Sequence, residues 1–424
     1  MRPHHPCRLA LLAALVCTTP AHAAIVGTGT PGSCTEGALN TALQGGGTVT
    51  FDCGAAAHTI TLTGAKTLTA DTAIDGGGLI TLDGGGVVQL FRLSGAANNY
   101  MLRGLVLSHG KATNDSGGAV YVDGATLLLN DVTLLNNTAV TSVAWGGVGG
   151  AVYARGGAQV TLSRVTASGN SAASGGVVLA DGAGTTLLLS EFVAESNHAV
   201  NVGGAVTHRG SALSIQRSLF MANSVLDSEG PGGAVQVAPP TGTTSLTIAN
   251  STFQGNTSSH GSALSAAQLS PGSTIANSTF ANNTGASTII AWTGAALTLK
   301  NTIVSNSVNG PNCVTDGGTI TNGGNNLQFG GITPLDSCGA TIPQANPRLS
   351  PLAHNGGFSQ TMALQAGSPA IDTGNGCAAS DQRGVARPIG PACDIGAFEA
   401  PLALPPGGGV ASVPALGGTG LAVL

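Results

Sequence analysis

Charged side chains that could bind a ligand or do chemistry are few in this sequence, but they recur at a regular spacing. The sixth residue after successive Gly-Gly pairs alternates between acid and base, at Asp123, Arg155, Asp181 and Arg209. Two tyrosines, Tyr121 and Tyr153, lie two residues before the first two of these charges. Such a set on one surface would suit a glycan-binding groove, in which a carboxylate pair can hydrolyse glycosides and an arginine can act as the base of a polysaccharide lyase.

A second set of charges alternates in the same way. It lies at the fourth residue after the start of each β-rich stretch, where four charged residues are followed by three neutral asparagines. In chain order these residues are Asp131, Arg164, Glu191, Arg217, Asn250, Asn277 and Asn301. Opposite charges on neighbouring strands attract and like charges repel. Both sets therefore also fit ion-pair ladders that fix the register of stacked strands. We prefer this structural interpretation, because exposed charges of alternating sign usually form solvated surfaces.

These positions come from an internal repeat that begins with Gly-Gly-Ala-Val or a near copy. The copies start 26 to 32 residues apart, at Gly117, Gly149, Gly175, Gly203, Gly232 and Gly261. The β-rich stretch after each copy reaches an Asn ten residues after its start, at Asn137, Asn170, Asn197, Asn223, Asn256 and Asn283, and a seventh stretch reaches Asn306 one residue early. A period of this length indicates a solenoid. Because the repeats lack helical segments and are shorter than a propeller blade of about 40 residues, they predict an all-β fold, a right-handed parallel β-helix.

The repeat also suggests what its residues do. The Gly pair would allow a positive φ or a close backbone approach at one corner. The Asn would adopt the left-handed conformation at another corner and bond to the Asn of the next turn. Small residues such as Ala119, Ala151 and Ala205 would stack in the interior, and the three Phe of the Phe-x-x-Asn motifs would lie in the core.

The composition excludes other classes. Of 424 residues, 66 are Gly and 8% are charged, which is too few charges to cover a helical bundle. The mean hydropathy of +0.28 argues against disorder. The net charge of −5 argues against a nucleic-acid partner.

The chain divides into five predicted regions. Residues 1–23 resemble a signal peptide, with Arg2 and Arg8, a short apolar run and an Ala-His-Ala cleavage site. This predicts a protein that is secreted or on the outer cell surface, and no later stretch is apolar enough to form a membrane-spanning helix. The other regions are an N-terminal cap (24–58), the β-helix (59–339), a small C-terminal β domain (340–399), and a Pro/Gly linker with a short tail (400–424). The N-terminal cap contains a predicted helix over 35–43, with Thr35 as its N-cap residue.

Six cysteines remain after the signal peptide, in three local pairs. The pairs are Cys34 with Cys53, Cys313 with Cys338, and Cys377 with Cys393. An even number in a secreted chain favours disulfides, and we prefer the local pairings because their loops are short, although other connectivities stay open. A metal site is disfavoured, because no pair has the Cys-x-x-Cys spacing.

No catalytic motif emerges from the remaining residues. There is no Asp-Asp, Gly-His-Gly, zinc spacing or phosphate loop, so we assign no catalytic residue, metal or cofactor. Four histidines are predicted to be solvated turn residues, namely His109, His198, His208 and His260. Salt bridges, in preference to a calcium site, are predicted for Asp372, Asp381, Asp394 and Glu399 with Arg383 and Arg387.

Three stretches resemble known bacterial families. The Gly-Gly-Ala-Val copies with Phe220-x-x-Asn223 and its two successors look like the repeats of polymorphic outer membrane proteins, and residues 34–86 look like the entry region of pectin-lyase-like β-helix proteins. The C-terminal region resembles the choice-of-anchor Q domain in four motifs, which are Asn346-Pro347, Gly367-Ser368-Pro369-Ala370, Asp381-Gln382-Arg383-Gly384 and Asp394-Ile395-Gly396-Ala397-Phe398-Glu399. Val413-Pro414-Ala415-Leu416 resembles the start of a sorting signal.

The resemblance implies a secreted or surface-exposed protein that acts in adhesion or as a scaffold. We therefore expect a non-enzymatic protein whose lateral face meets a polysaccharide or a cell-surface protein. The alternative is a polysaccharide lyase or glycoside hydrolase with its site on that face.

Overall fold

The computed structural model describes residues 23–141, 147–334 and 337–402. The predicted signal peptide, apart from Ala23, and the sorting-signal-like tail lie outside these residues. The described chain is nearly all β and forms a parallel β-helix, in which each strand pairs with the equivalent strand one turn (one rung) further along.

Two of the sheets make up most of the solenoid wall. The larger has eighteen strands: Ala23–Val26, Gly47–Phe51, His58–Thr61, Thr72–Asp83, Asn99–Ser108, Thr126–Leu135, Gln159–Ser168, Thr186–Glu195, Ala212–Gln216, Leu219–Met221, Ser245–Ala249, Thr252–Gln254, Thr274–Ala276, Thr279–Ala281, Ala296–Lys300, Ile303–Ser305, Thr319–Asn322 and Leu327–Phe329. The second has ten strands: Lys66–Leu68, Phe91–Ser94, Val120–Asp123, Val152–Arg155, Val178–Asp181, Val206–Arg209, Val235–Val237, Leu264–Ala266, Ile289–Trp292 and Cys313–Asp316.

The remaining elements are smaller. A five-stranded parallel sheet consists of Lys111–Thr113, Thr138–Val140, Ser171–Ser174, His198–Val202 and Ser224–Val225. An antiparallel pair near the C-terminus consists of Leu349–Ala353 and Thr361–Leu364. The helical elements are a 3-10 turn, Pro31–Ser33, and an α-helix, Glu36–Ala42.

The two glycines of each repeat have different roles at their corner. The first has a positive φ in all six copies, for example 64° at Gly175. The second position is Gly in the first five copies, where neighbouring backbones come close: a Cβ on Gly176 would lie 2.1 Å from the carbonyl oxygen of Gly204 in the next rung. In the sixth copy this position is Ser262. The two expectations for the pair, left-handed backbone and close approach, are thus both met, one by each glycine.

The ladder of asparagines forms inside the solenoid, but not with the predicted backbone. From Asn137 to Asn283 all six are 0% exposed. The side-chain nitrogen of each of the first five donates to the Oδ1 of the next Asn over 2.9–3.0 Å, and that oxygen also accepts from the backbone N–H of the earlier Asn over 2.9–3.1 Å. The last, Asn283, donates to the Phe253 carbonyl over 3.0 Å instead.

The left-handed backbone belongs to the residue before each ladder position. Asn136, Ser196 and Asn282 have φ between 53° and 57°. Asn306 is one of these corner residues, with φ 53°. Ser307 follows it at the ladder position, since its neighbour Val308 pairs with Thr284. The prediction that the ladder asparagines themselves turn the corner is therefore wrong.

The interior is filled by columns of identical or similar side chains. Phe220, Phe253 and Phe280 are 0% exposed and stack with ring centroids 4.7 and 4.6 Å apart, as predicted for core residues. Ala119, Ala151 and Ala205 are also fully buried at the corner with the Gly pairs.

A helix and an ion pair close the N-terminal end of the solenoid. Helix Glu36–Ala42 is capped as predicted, by a hydrogen bond of 3.1 Å from the Ala38 N–H to Thr35 Oγ1. Glu36 forms a salt bridge with Lys66, which is 7% exposed, and accepts from the Thr63 N–H over 2.9 Å. Burial raises the pKa of Glu36, but the hydrogen bonds from Lys66 and Thr63 outweigh it and lower the pKa to about 2.

Three disulfides hold the ends of the described chain, in the preferred pairing. Cys34–Cys53 lies in the N-terminal cap and Cys377–Cys393 in the C-terminal segment. Cys313–Cys338 joins the last strand of the ten-stranded sheet to the loop after strand Leu327–Phe329.

The C-terminal segment packs sideways on the solenoid. Its Ile395 and Phe398 form a small core with Ile303 and Leu327 of the eighteen-stranded sheet. Polar bonds join the same surfaces, for example from the Ala397 N–H to Thr279 Oγ1 over 3.0 Å. Inside the segment, two of the four predicted acids form salt bridges: Arg383 pairs with Asp381 at 2.6 Å and Arg387 with Glu399 at 3.2 Å. Asp394 instead accepts from the backbone N–H groups of Asp372 and Ala400.

Candidate ligand-binding face

The first set of alternating charges lies on the outer surface of the ten-stranded sheet. In its strands the side chains alternate between the core and the outside, so Val122 is buried while Tyr121 and Asp123 are only partly covered. The strand register places Asp123 beside Arg155 and Asp181 beside Arg209. The sequence thus predicted which of these side chains are neighbours.

The set forms two separate ion pairs and not one continuous ladder. Arg155 Nε lies 3.5 Å from Asp123 Oδ2, and Arg209 Nε lies 3.5 Å from Asp181 Oδ1. In the part of the chain that the structure describes, no salt bridge joins Arg155 to Asp181. The expected run of three contacts between these four charges is therefore broken at its middle step. With side chains 31–51% exposed, each pair contributes about 0–1 kcal/mol to stability.

Tyrosines and a further arginine extend this surface. Tyr121 and Tyr153 are opposite each other in the register, with ring centroids 5.4 Å apart at 62°. Arg92, one rung earlier, lies over the Tyr121 ring at 4.4 Å, a cation–π contact. Burial, followed by the charge of Asp181, raises the pKa of Tyr153.

Arg92 and its partner Asp115 are functional candidates that the sequence reasoning missed. Arg92 forms a salt bridge with Asp115 and donates to Gln89 Oε1 over 3.0 Å. Arg92 lies in strand Phe91–Ser94, beside Tyr121 of the next rung, but this strand precedes the first Gly-Gly-Ala-Val copy and therefore falls outside the repeat. The paired-charge face is hereafter the surface made by Arg92, Asp115, Tyr121, Asp123, Tyr153, Arg155, Asp181 and Arg209.

The second set of charges forms a continuous ladder on another side. Asp131 and Arg164 are 2.5 Å apart, Arg164 and Glu191 3.8 Å, and Glu191 and Arg217 3.3 Å. All four have φ between 48° and 56° and lie where the eighteen-stranded sheet bends. This ladder agrees with the structural interpretation.

The neutral asparagines continue the same column underneath the C-terminal segment. Asn250, Asn277 and Asn301 are 7%, 2% and 0% exposed, with φ between 47° and 49°. Asn301 donates to the Asn375 carbonyl over 3.0 Å and accepts from its N–H over 3.1 Å. The change from charge to amide thus coincides with burial, where an unpaired charge would be costly.

The histidines differ from one another. His109 is exposed at a corner and pairs with Asp83 at 2.8 Å. His208, in contrast, points into the core and is 0% exposed, with no hydrogen-bond partner for either ring nitrogen among the described residues. The prediction that it is a solvated turn residue is wrong, because it lies within a strand and not at a corner.

Chemically, the paired-charge face offers hydrogen-bond donors and acceptors in fixed positions. Its carboxylates each contact a guanidinium. Within the described ranges, no cluster of three or more His, Cys, Asp or Glu could hold a metal ion. The described helices include none that is long and apolar enough to cross a membrane.

Comparisons with protein-family models, with curated proteins and with solved structures found no match to this chain.

Proposed function

We propose that this protein is a non-enzymatic β-helix scaffold, secreted or displayed on a cell surface, that binds glycans or proteins through the paired-charge face. The observation that carries the proposal is the alignment of two tyrosines, three arginines and three aspartates over five consecutive rungs of one outer surface. The ladder of Asp131 to Arg217 has no such pair of exposed tyrosines, and the aromatic ring it contacts, Phe358 at 5.2 Å from Arg164, belongs to the C-terminal segment.

Three disulfides support a destination outside the cytoplasm, because such bonds persist in oxidising compartments. In keeping with the sequence resemblance, we place the protein among the pectin-lyase-like β-helix proteins with a choice-of-anchor Q segment. The C-terminal segment would then belong to the anchoring side of the molecule, and the paired-charge face to the binding side.

An enzyme is the competing function. Glycoside hydrolases generally use two carboxyl groups that flank the scissile bond. On the paired-charge face, Asp123 and Asp181 each contact an arginine of the neighbouring rung instead. This favours a fixed polar surface for binding over an acid–base pair for catalysis.

A glycan array combined with a turnover assay tests the proposal. The protein is expected to retain at least one glycan without releasing reducing ends or unsaturated products from acidic and neutral polysaccharides. Arg155→Ala with Arg209→Ala should lower binding while circular dichroism stays unchanged. Turnover that is abolished by Asp181→Asn on an intact fold would replace the scaffold with the enzyme.

A further inference from the structure

The charges of the paired-charge face cancel. Three arginines and three aspartates make it up, and each arginine has a salt bridge to one of these aspartates. The chain as a whole carries a formal charge of −5. A polyanion would gain no net attraction from this face and would be repelled by the rest of the molecule.

The groups on the face are suited to hydroxyl groups. Arginine presents a planar set of N–H donors, and an aspartate that is already paired with it keeps free acceptor sites on its two oxygens. The side chains of these arginines are 39–51% exposed and those of the aspartates 31–39% exposed. Donor and acceptor next to each other can bind the adjacent hydroxyls of a sugar ring without any charge on the sugar.

The tyrosines add to hydrogen bonding more than to ring stacking. Arg92 lies over the Tyr121 ring, and the Tyr153 ring approaches it edge-on. Part of the Tyr121 ring surface is thus already used within the protein. The Tyr121 hydroxyl is hydrogen-bonded to Arg155. Both phenols lie at the ends of side chains that point away from the core, where a hydroxyl that accepts one bond can still donate to a ligand.

The shape of the face indicates a chain and not a single sugar. From the strand of Arg92 to that of Arg209 there are five strands, which at about 4.8 Å per rung span about 19 Å. The side chains of the face form two rows that run along the solenoid axis. One row consists of Arg92, Tyr121 and Tyr153, and the other of Asp123, Arg155, Asp181 and Arg209.

Resting on the proposed function, we infer that the ligand is a neutral, hydroxyl-rich polysaccharide that lies along the solenoid axis on the paired-charge face. Recognition comes from paired guanidinium–carboxylate groups and two phenols. Salt therefore changes the affinity little, whereas the planar shape of the guanidinium matters.

The test compares neutral polysaccharides (galactomannan, mixed-linkage β-glucan, dextran) with acidic ones (polygalacturonate, alginate) by affinity electrophoresis at about 0.02 M and about 0.5 M NaCl. At least one neutral polymer should bind, with affinities within about twofold at the two salt concentrations. Arg155→Lys, which keeps the charge but not the planar donor set, should weaken binding about tenfold. Tyr121→Phe with Tyr153→Phe should weaken it as well.

Arg164→Lys is the matched control, because Arg164 lies in the same rung and is equally exposed but belongs to the other ladder. It should leave binding unchanged. Preferential, steeply salt-dependent binding of polygalacturonate would overturn the neutral ligand but leave glycan binding intact. Neutral-polymer binding that is insensitive to Arg155→Lys and to the tyrosine changes would place the ligand elsewhere. Retention of none of these polymers would remove both the inference and the glycan part of the proposed function.

Discussion

Replacing His208 by Leu should remove a large part of the acid sensitivity of this protein. His208 lies in the core column between Ala180 and Val237 of the adjacent rungs, and it is 0% exposed. Burial lowers its pKa from 6.5 to about 4. Leu fits an apolar column and has no group that titrates.

The magnitude follows from the two pKa values. Because the folded-state pKa is the lower one, the unfolded chain binds the proton more tightly, and acid favours unfolding. The stability that depends on a neutral His208 is complete above pH 6.5 and is lost as the pH falls to about 4. The loss amounts to about 3 kcal/mol at the acid end.

The measurement is guanidinium-induced unfolding of the wild type and His208→Leu between pH 7.5 and pH 4, followed by circular dichroism. The difference in free energy of unfolding should shift by about 3 kcal/mol in favour of the variant over this range. Val237→Ala, in the same column, serves as the control and should cost about 1–3 kcal/mol equally at every pH. A wild-type-to-variant difference that is constant with pH would refute the reasoning.

Three further predictions concern the solenoid and its C-terminal segment. Gly176→Ala forces a Cβ against the Gly204 carbonyl and should lower the melting temperature more than Gly182→Ala. At Gly182 the added Cβ has free space, and only the positive φ disfavours alanine. Equal effects of the two changes would contradict the close approach at Gly176. Asn223→Ala removes hydrogen bonds to Ala194, Asn256 and Asn197. It should lower the free energy of unfolding, measured by chemical denaturation, by about 3 kcal/mol. A decrease under about 1 kcal/mol would mean that the ladder contributes little to stability. Asn301→Asp places a carboxylate beside the Asn375 carbonyl and should speed amide exchange in residues 373–397. The same change at exposed Asn136 should leave this exchange unchanged. Unchanged exchange in Asn301→Asp would argue against the docking contact.

The repeat made the solenoid predictable because its period can be read directly from the residues. The Gly pairs, the asparagines and the two columns of charges all recur once per rung, so neighbours in space are equivalent positions in sequence. The same logic identified Tyr121 and Tyr153 as a pair. Arg92 escaped because its strand precedes the first recognisable copy of the repeat.

Backbone conformation and burial were harder to predict. A sequence does not distinguish an Asn that turns a corner from one that lies just after it, and both Asn136 and Asn137 occur together. Similarly, only the strand register shows that His208 points inward. The break between Arg155 and Asp181 depends on side-chain positions that no alternation of charges specifies.

The docking of the C-terminal segment could not be read from the repeat at all. Its sequence predicted the salt bridges of Asp381 and Glu399, because the acidic and basic residues lie close together, but not that Asp394 bonds to backbone N–H groups instead. Its contact with the column of Asn277 and Asn301 joins residues that are 101 and 74 positions apart. The loss of charge from this column was visible in the sequence, but its cause was not.

The ladder from Asp131 to Arg217 also restricts how such a solenoid can change length during evolution. Removing the rung of Arg164 would bring Asp131 next to Glu191, and duplicating it would set two arginines side by side. Gain or loss of two adjacent rungs preserves the alternation. In this part of the molecule, the unit that can be duplicated or deleted at little cost is therefore the pair of rungs, although the structural repeat is one.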